Sequence, residues 1–224
     1  MHVSKLSLKC AFSLLAGIVT LVPASAQRFD VTPLIAGRYG GTIKLEDQSQ
    51  TSRVDGHLAD SFGYGVAAGF RFDAEDCDSC GLFEFRWMRH DSHIDVNNQN
   101  PAVPTPVSAN VLRPHVTLDH FMGDFTYEWQ VPEAHAVKPF AMLSLGAMRM
   151  STPASSATRF AFGISTGVKV FPKPNWGFRF QVEYLPVVMH ADVQSVVCTG
   201  GCIVAIGGGL MNQFQMSFGP TFRF

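Results

Sequence analysis

The chain has 224 residues, of which 46% are hydrophobic and only 16% charged, with 20 glycines, 19 phenylalanines and a formal charge of -1. Soluble domains average about 25% charged residues, disordered chains lack aromatics, and nucleic-acid binders carry a basic excess. Composition therefore leaves one sizeable, aromatic, turn-rich domain and excludes nucleic acid as a partner.

Lys5 and Lys9 open the chain with positive charge, Cys10 to Val22 follow as an apolar run, and Ala24-Ser25-Ala26 offers a small-residue cleavage signal. That is the layout of a secretory signal peptide spanning residues 1–26. Its removal takes away two lysines and no acids, so residues 27–224 would carry -3 in place of -1. Beyond residue 26 no stretch approaches the ~20 apolar residues of a membrane helix. An exported, aromatic chain without a helical span is either a soluble β domain or a barrel in an outer membrane.

Strand segments are expected where one parity is apolar and the other polar or small. Residues 28–40 fit loosely. In 61–73, Phe62, Tyr64, Val66, Phe70 and Phe72 alternate with glycines, Ala67 and Arg71. In 81–90, Phe83, Phe85 and Trp87 oppose Glu84, Arg86 and Met88; in 115–130, Phe121, Phe125, Tyr127 and Trp129 oppose His120, Met122, Asp124 and Glu128. Residues 138–151 are less regular. Phe160, Phe162, Ile164, Val168 and Val170 then oppose Ala161, Gly163, Ser165, Gly167 and Lys169, and Trp176, Phe178, Phe180, Val182 and Tyr184 oppose Gly177, Arg179, Gln181 and Glu183. The last segment, 213–224, sets Phe214, Met216, Phe218, Pro220, Phe222 and Phe224 against Gln213, Gln215, Ser217, Gly219, Thr221 and Arg223.

Eight segments result, and their connections alternate in length. Long stretches near 45–60, 96–113 and 190–209 fall at one end, with a modest one near 152–157. Short turns near 74–80, 131–137 and 172–175 fall at the other. Long outer loops and short periplasmic turns belong to transmembrane barrels, as do aromatic girdles at both interfaces. The turn end offers Phe29, Phe72, Phe83, Trp129, Phe140, Phe171, Trp176 and Phe222; the loop end offers Tyr39, Phe62, Tyr64, Phe160, Tyr184 and Phe214. Opposite the aromatics lie Arg38, Arg71, Glu84, Arg86, Asp124, Glu128, Lys169, Arg179, Glu183 and Arg223. Eight strands leave an interior just wide enough for side chains, so the aromatic face belongs in lipid. The charges belong inside, paired, because an unpaired buried ion costs several kcal/mol.

A strand ending on Phe224, with Phe222 and Phe218 on its face, resembles the C-terminal signature of bacterial outer-membrane proteins. The chain from 27 to 224 is similar to small eight-stranded barrels of the OmpA/OmpX-like type, and it lacks the peptidoglycan-binding domain of full-length OmpA. The resemblance implies an all-β, antiparallel, up-and-down barrel in the bacterial outer membrane. It also implies the barrel-assembly machinery as reader of the terminal signal, with outer-membrane lipid as the solvent of the aromatic face; nothing in the sequence suggests an oligomer interface, so a monomer is expected. The partner of the outer loops stays unknown.

Cys77 and Cys80 form one close pair, Cys198 and Cys202 another. Together they could be read as a zinc site, but the topology puts a membrane band of about 25 Å between them. Two local disulfides are the expectation in an oxidising compartment. His90 and Ser92 superficially resemble part of the catalytic pair of lipid A deacylases, yet their parity is inward, away from lipid. His90, His93, His115, His120 and His190 gather towards the loop end without diagnostic metal-ligand spacing, and solvated imidazoles are expected there. No catalytic residue, metal or cofactor is assigned. The leading function is a non-enzymatic outer-membrane barrel with its outer loops as contact surface. The alternative is a narrow pore or a small-molecule passage across the outer membrane, for which the inward Gly63, Gly65, Gly69, Gly163 and Gly167 would leave space; a lipid-modifying enzyme ranks last.

Overall fold

A computed structural model of the chain describes residues 29–47, 53–72, 79–96, 115–132, 134, 136–153, 156–189, 196–197, 203–206 and 209–224. Eight long strands form the wall: β1 (Phe29–Gly40), β4 (Ser61–Arg71), β5 (Ser79–Val96), β6 (His115–Trp129), β7 (Val137–Ser151), β8 (Ser156–Lys173), β9 (Trp176–Tyr184) and β14 (Gln213–Arg223). Each pairs antiparallel with the next, and β14 pairs with both β9 and β1, so the sheet closes. Closure removes the unpaired strand edges that hydrocarbon would not tolerate. At the seam Phe224 N donates to Phe29 O at 2.8 Å and Phe29 N to Phe224 O at 3.1 Å. The terminal phenylalanine is thus hydrogen-bonded to the first described residue of the wall.

The outward face is apolar around the whole circumference. Ile35, Val66, Phe85, Phe125, Leu143, Leu145, Ile164, Phe180 and Phe218 are all exposed, and Phe178 stacks on Phe218 with centroids 5.9 Å apart. The opposite face carries buried charges. A water-soluble barrel would be turned the other way out, so the solvent of this surface is lipid hydrocarbon. At the loop end the outward row changes character. Asp119 stands between Arg89 and Arg149 on neighbouring strands, and Arg89 donates to it through two bonds of 2.8 Å.

Two girdle assignments fail. Phe140 is 0% exposed and faces inward with Met142 and Ser144, while Ala141, Leu143 and Leu145 face out. Both parities of this segment are apolar, so alternation could not choose between them. Phe171 is 8% exposed because it shares the inward parity of Ser165 and Lys169 on β8, a parity it keeps although the register shifts between Val170 and Lys173. Its ring lies 4.0 Å beneath the Arg223 guanidinium. At the turn end of β7 and β8 the outward positions are Pro139, Val168 and Val170, so the girdle is interrupted there.

The loop-side connections are also more ordered than expected. Gly40 and Gly41, with φ of 80° and 117°, turn the chain from β1 into β2 (Thr42–Asp47), which pairs with β3 (Arg53–Leu58). Positive φ at two successive residues is conformational space that glycine enters at little cost. β3 continues onto the end of β5, while β12 (Ile203–Ile206) adds to β2 and β11 (Val196–Val197) to β12. β10 (Val187–Met189) pairs with β13 (Gly209–Met211). Much of the expected loops at 45–60 and 190–209 is therefore a strand-built extension of the wall. Residues 97–114 lie outside the described set.

Candidate functional site

The interior begins at the turn end with a dense ionic layer. Asp30 accepts from Arg71 at 3.2 Å and from Arg223 at 3.1 Å. Lys169 lies 2.5 Å from Glu128, 3.2 Å from Glu84 and 3.6 Å from Asp30, and Arg71 lies 3.3 Å from Glu128. Arg179 Nη1 donates to both Glu84 oxygens at 2.9 and 2.8 Å, and the Thr126 hydroxyl donates to the same carboxylate at 3.1 Å. Phe140 supplies this layer with a ring face, with Arg179 centred 4.9 Å and Lys169 5.8 Å from its centroid. Such contacts strengthen when water is excluded.

One step further in, Arg86 bridges two carboxylates. It reaches Asp124 at 2.9 Å and Glu183 through bonds of 2.5 and 2.6 Å, with Ser144 donating to Glu183 at 3.3 Å. Across both layers five cations (Arg71, Arg86, Lys169, Arg179, Arg223) face five carboxylates (Asp30, Glu84, Asp124, Glu128, Glu183). Charge balance is what makes burial of ten ionised groups tolerable.

Arg38 departs from the expected pairing. Its guanidinium donates to Ser61 Oγ, Gly40 O, Gln213 Oε1, Ala59 O and Ser92 Oγ, all neutral acceptors, and it joins none of the ion pairs among the described residues. Asp30, absent from the expected network, is its busiest anion at the turn end. Its parity, shared with Arg38 along β1, was the available signal.

The loop-side half of the interior is a different medium from the polar one expected. Leu58, Ile94, Val116, Leu118, Met122, Met148, Met150, Leu185, Val187, Met189 and Met211 form one buried cluster. Set among these are His90 and His120, 0% and 1% exposed, ring centroids 5.8 Å apart. These two histidines are enclosed, against the expectation of solvated imidazoles, because the wall and its extension rise above them. His93, by contrast, is partly exposed and 3.6 Å from Asp95. His190 lies outside the described residues.

The space beside the inward glycines is taken up by neighbouring side chains. A Cβ at Gly69 would sit 2.8 Å from Glu84 Cγ, and one at Gly163 would sit 2.9 Å from Glu183 Oε1. Gly63, Gly65 and Gly167 are filled in the same way by His90, Met88 and Phe140. Each glycine makes a notch in one strand for a large side chain of its neighbour, which is how a narrow barrel accommodates arginine and methionine together. Ser92 likewise is enclosed: its hydroxyl donates to Ala59 O at 2.6 Å and accepts from Arg38 at 3.1 Å, while His90 Nε2 is engaged 3.1 Å from Gln215 Oε1. Cys80 is buried; Cys77, Cys198 and Cys202 lie outside the described residues.

No family model and no curated protein matches the chain. Solved structures do. The outer-membrane protein OprG from Pseudomonas aeruginosa matches with a TM-score of 0.58 at 10% identity, over 89% of this chain and 97% of that one. Neisserial surface protein A matches with a TM-score of 0.49 at 18% identity, over 88% and 97%. The outer-membrane protease OmpT from Escherichia coli matches at 0.48 and 6%, over 92% and 100%. At such identities the likeness is one of fold, carried by the first of the three. The chain has the fold of the bacterial outer-membrane β-barrels, and fold alone assigns no role.

Proposed function

We propose that this eight-stranded barrel of the bacterial outer membrane is a closed, non-enzymatic scaffold whose outer extension makes its contacts. The observation that carries this reading is the filled interior: every inward glycine expected to open space is covered by a neighbour's side chain, above a charge-balanced plug. The extension built from β2, β3, β11 and β12 is the surface offered outward, and binding residues are commonly carried where loops stand on a rigid scaffold. Engagement of Ser92 and His90 by separate partners supports the absence of a nucleophile–base pair. Phe218, Phe222 and Phe224 are proposed as the assembly signal. Local Cys77–Cys80 and Cys198–Cys202 disulfides and a monomeric state complete the proposal.

The test is single-channel recording of the purified, refolded residues 27–224 in planar bilayers at moderate salt. Heat-modifiable, folded protein should give no discrete conductance. Reproducible steps from the same preparation would replace the scaffold with a passage across the membrane.

A further inference from the structure

The loop-side interior holds an imidazole with nothing to bond. His120 is 1% exposed, and neither Nδ1 nor Nε2 has a hydrogen-bond partner among the described residues. Buried polar side-chain atoms are nearly always satisfied, and an orphaned one costs about 1–3 kcal/mol. The residues around this ring are the informative part. In the strand register Met88 stands directly opposite His120 on β5 and Met148 directly opposite on β7. Met122 follows two residues along β6 on the same inward face, and all three methionines are buried.

Methionine is also distributed unevenly. Met88, Met122, Met142, Met148, Met150, Met189 and Met211 are buried, whereas Met216 alone among the described methionines points into lipid. As mere apolar filler it would serve the lipid face equally well; instead that face uses phenylalanine, leucine, isoleucine and valine. We infer that the loop-side half of the barrel is a binding site for a soft monovalent metal ion, Cu(I) by its chemistry, held by His120 with the thioethers of Met88, Met122 and Met148.

Thioether and imidazole together select soft, low-charge ions. The nearest inward-facing carboxylates, Asp124 and Glu183, are tied up by Arg86, and Asp119 beside His120 faces outward to Arg89, so a dication at His120 would find no free anion to neutralise it. Arg38 adds positive charge towards the loop end and further disfavours a second charge on the ion. The sulfurs of Met88 and Met122 rest in the notches of Gly65 on β4 and Gly146 on β7, so coordination requires both side chains to change rotamer, which the three rotatable bonds of a methionine permit. Met148 Sδ accepts a long bond of 3.8 Å from Gln213 Nε2 across the barrel, which holds it towards the axis. His90, its Nε2 engaged with Gln215, walls the site.

The experiment titrates the refolded barrel in detergent with Ag(I), a redox-inert probe for Cu(I), in chloride-free buffer. The readouts are the methyl resonances of 13C-methyl-methionine and calorimetric affinity. Met88, Met122 and Met148 should shift together, saturating at one equivalent. Loss of groups one shell beyond a metal already weakens binding about 10–100-fold, so His120→Leu should weaken silver binding at least ~100-fold. The paired Met88→Leu and Met148→Leu substitution should do the same, while Met142→Leu should change nothing. Leucine replaces methionine at small cost, so the methionine variant decides the matter if His120→Leu fails to fold. Shifts confined to Met216, silver affinity unchanged in the methionine variant, or Zn(II) binding as tight as Ag(I) would each overturn the assignment.

Discussion

Arg86 is the single cation between Asp124 and Glu183, and its replacement by methionine tests whether the ionic layers hold the wall together. At an effective dielectric constant of about 20, unit charges separated by the 2.9 Å Arg86–Asp124 contact attract by roughly 5–6 kcal/mol. The Glu183 contact adds a comparable amount, and against both stands the several kcal/mol spent desolvating the guanidinium. Removing Arg86 leaves two facing carboxylates in a closed barrel, for an expected loss of about 3–5 kcal/mol. With a urea dependence of roughly 2 kcal/mol per molar, the unfolding midpoint in lipid vesicles should fall by about 2 M. Tryptophan fluorescence and heat-modifiable gel mobility read the transition. The double variant Arg86→Met with Glu183→Gln should recover most of that loss, because one of the two stranded charges is gone. A midpoint shift under about 0.3 M for the single variant, or a double variant less stable than the single, would refute the reasoning.

Gly219 lies on β14 at the closing seam, where an added Cβ would run into the backbone carbonyl of Pro33. Backbone cannot move aside as a side-chain tip can, so Gly219→Val should lower the yield of heat-modifiable barrel on refolding, whereas Gly123→Ala, with 3.5 Å to its nearest neighbour, should refold normally. In chelator-treated, metal-free protein, His120→Leu should raise the unfolding midpoint, since it removes two unpartnered buried nitrogens worth about 1–3 kcal/mol; a lowered midpoint would mean that these atoms are satisfied in the folded barrel.

Most of the wall was legible in the sequence, for a physical reason. In a strand each side chain's face is set by parity alone. Wherever one parity is aromatic and the other polar, as from Phe83 to Trp87 or Trp176 to Tyr184, the assignment of outside and inside needs nothing further. Arg38, Arg71, Glu84, Arg86, Asp124, Glu128, Arg179 and Glu183 all lie on the buried face, on the parity opposite the aromatics. Parity was silent where both faces are apolar, as around Phe140, whereas Phe171 shares the inward parity of Lys169 and its place in the girdle rested on its aromatic ring alone.

What parity cannot supply is register, and register decided the rest. Which carboxylate meets which guanidinium depends on how far adjacent strands are slid, and so do the glycine notches that proved to be filled. The same offset puts Met88 and Met148 beside His120. The strand extension that encloses His90 and His120 arises from pairing between segments more than a hundred residues apart, β2 with β12. Sequence determined that this chain turns its aromatic face to lipid and its charges inward, because that follows from local alternation. Only the closed sheet determined that the interior is a balanced ionic network beneath an apolar, methionine-rich cluster, because contacts across strands exist only once the register is fixed.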